Sequence, residues 1–304
     1  MPGLFSVVPY QKSCTLSTIT KLDYMKSSQL FKTLITLILT GSFVYGIQAQ
    51  EIGLQLYSLR NQFKTDVPGT LAKIKSFGIH EIEGGGTYGL SMEEYKKLLA
   101  QNELKMVSIG ADFQKLTDSP QAVVDEAKAF GAKFVMCSWI PHDGENFTID
   151  DMKKAQAVFT KAGKLMHDNG ITFCYHTHGY EFRPYEGGTL FDWLVKNTDP
   201  RYVNFEMDVF WVKHPGQDPV ALLKKYPSRF KMLHLKDRKP GTEGNQAGHA
   251  PDETNVVLGQ GDVGIAEIMK AAKNIPVKHY FIEDESPVSV EQIPQSLQFL
   301  KSLK

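Results

Sequence analysis

The sequence predicts a single (β/α)8 TIM barrel, in which eight parallel strands alternate with helices around a closed ring. Two observations support this prediction. Short apolar runs recur from Glu51 to the end of the chain, and helical patterns lie between them. Most runs are continuously apolar, as expected for parallel strands that are buried on both faces. The eight predicted strands are Ile52–Tyr57, Glu81–Glu83, Met106–Ile109, Phe134–Ser138, Thr172–His176, Val203–Met207, Phe230–Leu235 and Tyr280–Glu283.

The segments between these strands contain helix-start and helix-stop signals. Ser91 precedes Glu94 by three residues, which is the spacing of a capping box. Glycine often ends a helix, and Gly131 follows an apolar helical pattern. The predicted helices are Leu71–Phe77, a helix that begins at Ser91, Val123–Phe130, Met152–His167, Ala221–Tyr226, Ile265–Lys273 and Val290–Leu303.

A doubly wound open sheet is the alternative to the barrel. That fold usually has a glycine-rich phosphate turn after its first strand. Here the first strand leads into Ser58-Leu59-Arg60-Asn61, which contains no glycine. The longest irregular stretch, Lys239–Val263, is rich in Gly, Asn and Asp. A loop of this length on a compact barrel is usually functional.

The first 49 residues differ in character from the rest. Thr33–Gln50 contains no charged residue, follows Lys26 and Lys32, and includes a small residue at Ala49. This order is typical of a secretory signal peptide. A membrane anchor is the alternative, but a spanning helix needs about 20 apolar residues, and polar residues and glycines interrupt this run.

These features predict three segments. Residues 1–24 precede Met25 and are interpreted as a non-native upstream extension. Residues 25–49 are the predicted signal peptide, and residues 50–304 are the predicted barrel. We therefore expect an exported, periplasmic protein that is not integral to the membrane after cleavage.

Charge and cysteine content argue against a nucleic-acid-binding protein and against a fold held together by disulfides. The chain has 34 Lys+Arg and 34 Asp+Glu, so it offers no excess of cations to a nucleic acid backbone. Two cysteines remain after cleavage, Cys137 and Cys174, and both lie in strand-like apolar runs. Two cysteines do not form a disulfide framework, so we expect buried free thiols.

A histidine or a carboxylate residue lies near the carboxyl end of each of the last four predicted strands. The active site of a TIM barrel lies at the carboxyl ends of its strands, and strand residues two apart share a face. His176, Asp208, His234 and Glu283 can therefore point inward together. A lone histidine there is more often a hydrogen-bonded structural residue, but four such residues on consecutive strands favour a metal site. Two imidazoles and two carboxylates suit one divalent ion, such as Mn²⁺, Co²⁺, Zn²⁺ or Mg²⁺.

Other polar residues follow the same face toward the mouth of the barrel. His178 and Lys236 lie two residues beyond ligand candidates, and with Glu283 they are the catalytic candidates. A nearby metal ion would lower the pKa of Lys236, whereas a salt bridge to Glu285 is the alternative role. Arg183 could instead pair with Glu181. Tyr57 also flanks the mouth, and the candidates for substrate binding are Glu83, Trp139, His142, Arg183, Trp211 and Glu285.

Several stretches carry a family resemblance: Leu54–Arg60, His176–Phe182, Glu206–Trp211 and Leu233–Asp237. Together they resemble the xylose-isomerase-like sugar isomerase/epimerase superfamily. The resemblance implies a TIM barrel with four metal ligands from strands five to eight, usually Glu, Asp, His and Glu. His176 stands where the first Glu is expected. Epimerases of this family use two metal-bound carboxylates, so this difference weakens the prediction of two-base epimerisation.

The resemblance also implies a reaction, namely removal of a carbon-bound proton next to a carbonyl. A sugar isomerase or epimerase is therefore the primary prediction. The His-x-His-x-x-Glu-Phe form, which begins at His176, resembles a branch associated with 3-keto-glycoside lyases, so β-elimination is the first alternative. A non-catalytic sugar-binding barrel is the second. Export and the absence of a glycine-rich phosphate loop favour a free sugar or glycoside over a sugar phosphate.

Endonuclease IV shares the barrel and is the nucleic-acid alternative. Its pattern requires Asp-x-x-His on strand six, whereas this chain has Trp211 three residues after Asp208. Together with the neutral charge, this difference disfavours a DNA-repair function.

Overall fold

The protein is represented by a computed structural model that describes Gly3 and residues 51–303. The predicted signal peptide lies outside the described residues and stays a prediction. Within the described part of the chain, no helix has the length and apolar character needed to cross a membrane.

Eight parallel strands form a closed barrel, which confirms the predicted fold class. Neighbouring strands follow chain order, and the last strand pairs with the first through Ile52 opposite Tyr280. The barrel strands are β1 (Ile52–Gln55), β2 (Glu81–Gly84), β3 (Lys105–Gly110), β4 (Phe134–Cys137), β5 (Thr172–His176), β6 (Asn204–Asp208), β7 (Phe230–Leu235) and β8 (His279–Ile282).

Helices connect these strands, and local capping residues define many of their ends. The predicted capping box at Ser91 is present, since its side chain accepts from Glu94 N–H and Glu94 accepts from the Ser91 backbone. Gly131 ends a helix with φ 74°, a conformation that favours glycine. The helices are α1 (Arg60–Phe63), α2 (Val67–Ser76), α3 (Met92–Gln101), α4 (Phe113–Asp118), α5 (Pro120–Phe130), α6 (Ile149–Asp168), α7 (Leu190–Lys196), α8 (Val209–Lys213), α9 (Pro219–Lys225), α10 (Ile265–Ala272) and α11 (Ser289–Ser302).

The structure differs from the sequence prediction mainly at element ends. Strand β1 stops at Gln55 instead of Tyr57, because the Gln55 side chain accepts from Tyr57 N–H and begins a 3-10 turn. Strand β6 extends through Asp208, one residue beyond the predicted end. Helices α1, α4, α7 and α8 were not predicted, and each has only four to seven residues.

The long loop after β7 is held by one buried carboxylate. Asp237 Oδ2 accepts the backbone N–H groups of Gly259 at 2.8 Å and Gly261 at 3.0 Å. Its Oδ1 accepts Val263 N–H at 3.1 Å. Three hydrogen bonds to one carboxyl side chain fix the far end of the loop against the strand from which it leaves.

The core has two parts. Most apolar side chains fill the space between the strands and the surrounding helices. A smaller cluster, which includes Cys174 and Phe281, fills the lower lumen of the barrel. Gly53 leaves room for it, since an added Cβ would lie 2.6 Å from the Phe281 ring. Cys137 and Cys174 are buried and free, as predicted. Toward the carboxyl ends of the strands, beyond this apolar cluster, polar side chains line the lumen.

Candidate active site

The structure brings together the four residues predicted as metal ligands. His176 ends β5, Asp208 ends β6, His234 lies in β7, and Glu283 directly follows β8. Each offers one ligand atom, and these atoms all lie within 4.8 Å of one another. Parallel register produces this convergence, because Asp208 pairs with His234 across β6 and β7. These four residues are called the upper quartet below.

The upper quartet has the chemistry of a divalent-cation site. Asp208 Oδ1 accepts the Trp211 N–H at 2.9 Å, which orients the carboxylate. Asp208 Oδ2 is buried and has no hydrogen-bond partner among the described residues. It lies 4.0 Å from His176 Nε2. A buried carboxylate oxygen is unfavourable without a compensating group, and two imidazoles with two carboxylates suit a single divalent ion.

A second set of carboxylates lies against the quartet's histidines. Glu206 Oε2 is 3.2 Å from His176 Nδ1 and 3.3 Å from His234 Nε2. Glu83 Oε1 is 2.5 Å from His234 Nε2 and accepts from Gln55 Nε2 at 2.8 Å. Carboxylates that accept the second N–H of a ligating histidine fix its ring orientation and tautomer. Glu83 therefore orients His234, which is the structural hydrogen-bonding role that its place at the end of β2 also allowed, and its contact with a sugar hydroxyl stays a prediction.

Sequence reasoning missed Glu206 and Gln55. Glu206 lies two residues before Asp208, so strand parity alone would have placed it on the same inward face. Gln55 is the last residue of β1 and belongs to the same polar ring.

Burial dominates the electrostatics of this cluster. It raises the pKa of Asp208 to about 7 and, together with the charge of Glu83, the pKa of Glu206 to about 8. Burial and then the neighbouring His234 lower the pKa of His176. Burial also lowers the pKa of His234, but the charges of Glu206 and Glu83 outweigh it and leave that pKa well above its ordinary value. The cluster contains four carboxyl groups and two imidazoles, and this excess of acidic groups over basic groups favours a bound cation.

Lys236 lies one layer above the quartet, at the carboxyl end of β7. Its Nζ is 3.4 Å from Glu283 Oε2 and donates to Glu285 Oε1. The lowered pKa expected beside a bound metal ion stays a prediction, because the shift described next is that of the metal-free protein. Burial lowers the pKa of Lys236, but the charges of Glu283 and then Glu285 and Asp208 outweigh burial and raise it above its ordinary value. The predicted salt bridge to Glu285 is present, so Lys236 is a proton donor in this arrangement.

His178 follows β5 and is half-buried between two indole rings. It stacks on Trp211 at 5.0 Å and meets the edge of Trp139 at 5.3 Å. Its Nδ1 is buried, without a hydrogen-bond partner in the described part of the chain. Burial and then the charge of Lys236 lower the pKa of His178 to about 3, so its ring is neutral at neutral pH.

The predicted pairing of Glu181 with Arg183 is wrong. Glu181 is buried and accepts the His178 backbone N–H at 2.8 Å. Arg183 turns away and donates from Nη2 to the carbonyl oxygens of Glu145 and Gln246. Glu181 therefore supports the turn that carries His178, and Arg183 joins two loops.

Aromatic side chains form one wall of the mouth. Trp139 stacks on His142 with ring centroids 4.9 Å apart, and the exposed His249 lies 5.4 Å from the indole. His142 Nδ1 is 2.6 Å from the Ile140 carbonyl oxygen. These rings and Trp211 present flat apolar faces beside His178, which suits contact with the C–H faces of a sugar-like ring.

A cavity of about 480 Å³ opens on the opposite side, at the ends of β1 and β2. Its volume lies within the range of small-molecule sites, about 300–1,000 Å³. Gln55 lines this cavity and bonds to Glu83, so the cavity extends to the polar cluster. Tyr57 is 52% exposed and provides an aromatic face at the entrance. The other lining residues include Arg60, Phe63 and Tyr88.

Comparison with known proteins agrees with this geometry. The family model described as "Xylose isomerase-like TIM barrel" matches residues 71–303. A solved structure of a sugar phosphate isomerase/epimerase from Parabacteroides distasonis is 25% identical, with a TM-score of 0.71. The alignment covers 86% of this chain and 96% of that one.

Two curated relatives are named inosose dehydratase. The Clostridium botulinum protein is 29% identical over 185 residues, which cover 54% of this chain and 60% of the relative. The Bacillus cereus protein is 25% identical over 243 residues, which cover 71% of this chain and 79% of the relative. The matched region thus spans less than two thirds of the first relative's length.

Proposed function

The chain belongs to the xylose isomerase-like TIM-barrel family, and from this premise we propose that it is a divalent-metal-dependent lyase. Its proposed substrate is a polyhydroxylated ring that carries a ketone, such as a keto-cyclitol or a keto-glycoside. The proposed reaction is β-elimination of water or an alcohol.

One observation carries this proposal, namely that His178 and Lys236 both contact the Trp211 ring beside the quartet. His178 Nδ1 has no partner among the described side chains and can accept a proton. Lys236 Nζ is ion-paired with Glu283 and Glu285 and can donate one. Elimination requires a base at the carbon beside the ketone and an acid at the leaving oxygen. Isomerisation requires one group that moves a proton between neighbouring carbons.

The step balances with these two groups alone. His178 takes the proton from the carbon next to the ketone, and the C–H electron pair becomes the new C=C bond. The C–O bond at the next carbon breaks, and its oxygen leaves with the proton of Lys236. The products are an unsaturated ketone and water, or an alcohol where the leaving group is a glycosidic oxygen.

The upper quartet would hold the ion. When bound there, a divalent ion supplies Lewis acidity that stabilises negative charge next to the carbonyl. Glu206 and Glu83 hold His176 and His234 in position through the contacts described above. The aromatic wall and the cavity at β1 and β2 would then hold the ring of the substrate between them.

The relatives support elimination. Both curated relatives are named as dehydratases, and a dehydratase removes water. The second candidate is an isomerase or epimerase, favoured by the Parabacteroides distasonis structure, which is described as a sugar phosphate isomerase/epimerase. The quartet has histidine at position 176, and this favours a one-sided reaction over two-base epimerisation.

A proton NMR experiment in D₂O distinguishes the candidates. The purified protein is loaded with Mn²⁺, Co²⁺, Zn²⁺ or Mg²⁺ and incubated with a keto-inositol or a methyl 3-keto-glucoside. We expect an unsaturated ketone with loss of water or methanol, and no reaction after EDTA treatment. Ketose–aldose interconversion or epimer formation would support the second candidate. Deuterium exchange and turnover both absent with every metal would indicate a binding protein without catalysis.

Matched variants test the residue roles. His178→Ala should lower turnover by about 10²–10⁴-fold, the usual contribution of general-base catalysis, while metal content is unchanged. His80→Ala is the control, since this exposed histidine precedes β2, at the end of the barrel opposite the quartet. His234→Ala should remove the metal measured by elemental analysis. Equal metal content in His234→Ala and the wild type would refute the quartet as the metal site.

A further inference from the structure

The turn that carries His178 packs closely on the neighbouring segments. Thr177 Oγ1 accepts the Asp208 backbone N–H at 3.1 Å, which joins the start of the turn to the end of β6. Gly179 has φ 102°, a conformation that favours glycine, and an added Cβ there would lie 3.1 Å from the Trp211 carbonyl oxygen. These contacts hold the residues on either side of His178, and neither of them uses a charged side chain.

His178 itself is held by the carboxyl group of Glu181. The His178 backbone N–H donates to Glu181 Oε1 at 2.8 Å, and Glu181 is fully buried. Its other oxygen, Oε2, has no hydrogen-bond partner within residues 51–303. A buried charge is unfavourable unless it is compensated, and the backbone N–H groups of this turn provide the compensation. The glutamate of the His-x-His-x-x-Glu-Phe form thus has a contact that the proposed reaction does not use.

Two elements place titratable groups near the Glu181 carboxyl group. Burial raises the pKa of Glu181 to about 7, the backbone N–H groups of the turn lower it against that effect, and the charge of Asp208 on β6 raises it further. Burial and then the charge of Glu181 raise the pKa of Tyr175 and Tyr180 well above its ordinary value. Both phenols therefore stay neutral when Glu181 ionises.

Helix α7 also packs against this turn. Its two charged residues are Asp192, which pairs with Lys225 at 2.8 Å, and the exposed Lys196. These charges are compensated by Lys225 and by solvent. Glu181 is therefore the group whose ionisation acts directly on the backbone N–H of His178.

We propose that Glu181 is a positioning residue for His178, and that it holds the imidazole against Trp211 only when its carboxyl group is ionised. This inference rests on the role proposed above for His178 as the base. A hydrogen bond to an ionised acceptor is roughly twice as strong as one between neutral groups, so protonation of Glu181 weakens the contact. The His178 ring stacks on Trp211 with ring centroids 5.0 Å apart, and a loosened backbone lets the ring leave this position.

Nuclear magnetic resonance of protein labelled with ¹⁵N-histidine tests this contact without turnover. The backbone amide signal of His178 is assigned by its loss in His178→Ala, and its chemical shift is followed across neutral pH. Saturating Zn²⁺ is added so that Asp208 stays ionised as a ligand in the upper quartet. We expect a titration of this signal near pH 7 in the wild type. Glu181→Gln keeps an oxygen acceptor but cannot ionise, so its His178 signal should not titrate.

Steady-state kinetics on the substrate that the D₂O experiment identifies gives a second measurement. In the wild type, kcat should rise as pH increases through about 7, the pKa of Glu181, and Glu181→Gln should show no such rise. The pKa of His178 is about 3, so ionisation of the base cannot produce it. Above neutral pH, kcat of Glu181→Gln should be about fivefold to tenfold lower with KM unchanged, because the variant has only a neutral hydrogen bond.

Glu94→Gln is the matched control. Glu94 also accepts the backbone N–H of the residue three positions before it, from Ser91 at 3.0 Å, but it is exposed at the start of α3. This variant should change neither the His178 signal nor kcat. A His178 signal that does not titrate in the wild type, or that titrates equally in Glu181→Gln, overturns the proposal, and so does an unchanged pH profile of kcat in Glu181→Gln. Absence of turnover with a titration that depends on Glu181 supports the contact and refutes the role of His178 as the base.

Discussion

Replacement of Lys236 by methionine tests the charge balance of the upper lumen. Lys236 is 1% exposed, and its Nζ lies 3.4 Å from Glu283 Oε2. At an effective dielectric constant of about 20, one such pair interacts by about 5 kcal/mol. Removing one partner of a buried pair typically costs about 3–5 kcal/mol, because the other charge is left uncompensated. For a domain of this size, that loss lowers Tm by roughly 6–20 °C.

The loss should depend on pH with a defined sign. Burial raises the pKa of Glu283, but the charges of Lys236 and then His234 outweigh it and hold that pKa well below its ordinary value. In the wild type, this stabilisation is present above about pH 4.3, the unfolded pKa, and is lost as pH falls through the folded value. Without the lysine, the largest charge that opposes burial is lost, so we expect the folded pKa of Glu283 to rise and the variant to gain relative stability toward acid. The difference between the two proteins should therefore be largest at neutral pH and smaller near pH 5.

The assay is urea unfolding of metal-free protein at about pH 7.5 and pH 5. Lys105→Met is the matched control, because Lys105 lies 3.5 Å from Glu81 but its side chain is 69% exposed. Exposed pairs contribute about 0–1 kcal/mol, so the control should lose little. Saturating metal should stabilise Lys236→Met by about 4 kcal/mol at 1,000 times Kd. The reasoning fails if Lys236→Met is as stable as the control at neutral pH, or if its deficit is the same at both pH values.

Three further predictions concern other parts of the chain. Asp237→Ala should leave four backbone N–H groups without their side-chain acceptor and cost about 1–3 kcal/mol or more, seen as faster proteolysis within the loop 239–263; unchanged cleavage would contradict the proposed anchoring of the loop by Asp237. Burial raises the pKa of Glu81, but the hydrogen bond and charge of His279 outweigh it and leave that pKa lowered. Glu81 should thus stabilise the fold above about pH 4.3 and less below it, and Glu81→Gln should flatten acid unfolding in that range. Mass spectrometry of protein from the native host should give a mature N-terminus near Gln50, and retention of residues 25–49 would refute signal cleavage.

The strand pattern and the quartet could be predicted because both depend on local rules. Continuous apolar runs mark strands that are buried on both faces, and the barrel contains strands at all eight predicted places. Strand parity then relates residues across neighbouring strands, which is why His176, Asp208, His234 and Glu283 could be grouped before any geometry was known.

The remaining features depend on contacts between distant segments. Lys236 meets carboxylates that are 47 and 49 residues away, and in the metal-free protein their charges raise its pKa against the effect of burial. His214 follows an unpredicted five-residue helix, and Gly244 of the loop 239–263 packs on its backbone. A short helix can begin at a single capping residue, such as Asp208, whose side chain accepts from Trp211 N–H. Such a helix is too short to give a periodic pattern of apolar residues in the sequence.

The residues at the end of β7 connect the quartet to the long loop, because some of them point into the lumen and others contact the loop. His234 and Lys236 point into the lumen, where one joins the quartet and the other is the proposed acid. Asp237 holds the long loop, and Arg238 pairs with Asp262 of that loop. Residues 234–238 thus connect the quartet to the loop 239–263. A loop anchored at this position fixes the backbone on which Lys236 stands, so Asp237→Ala should reduce turnover as well as loop stability, whereas a substitution in the outer part of the loop should not.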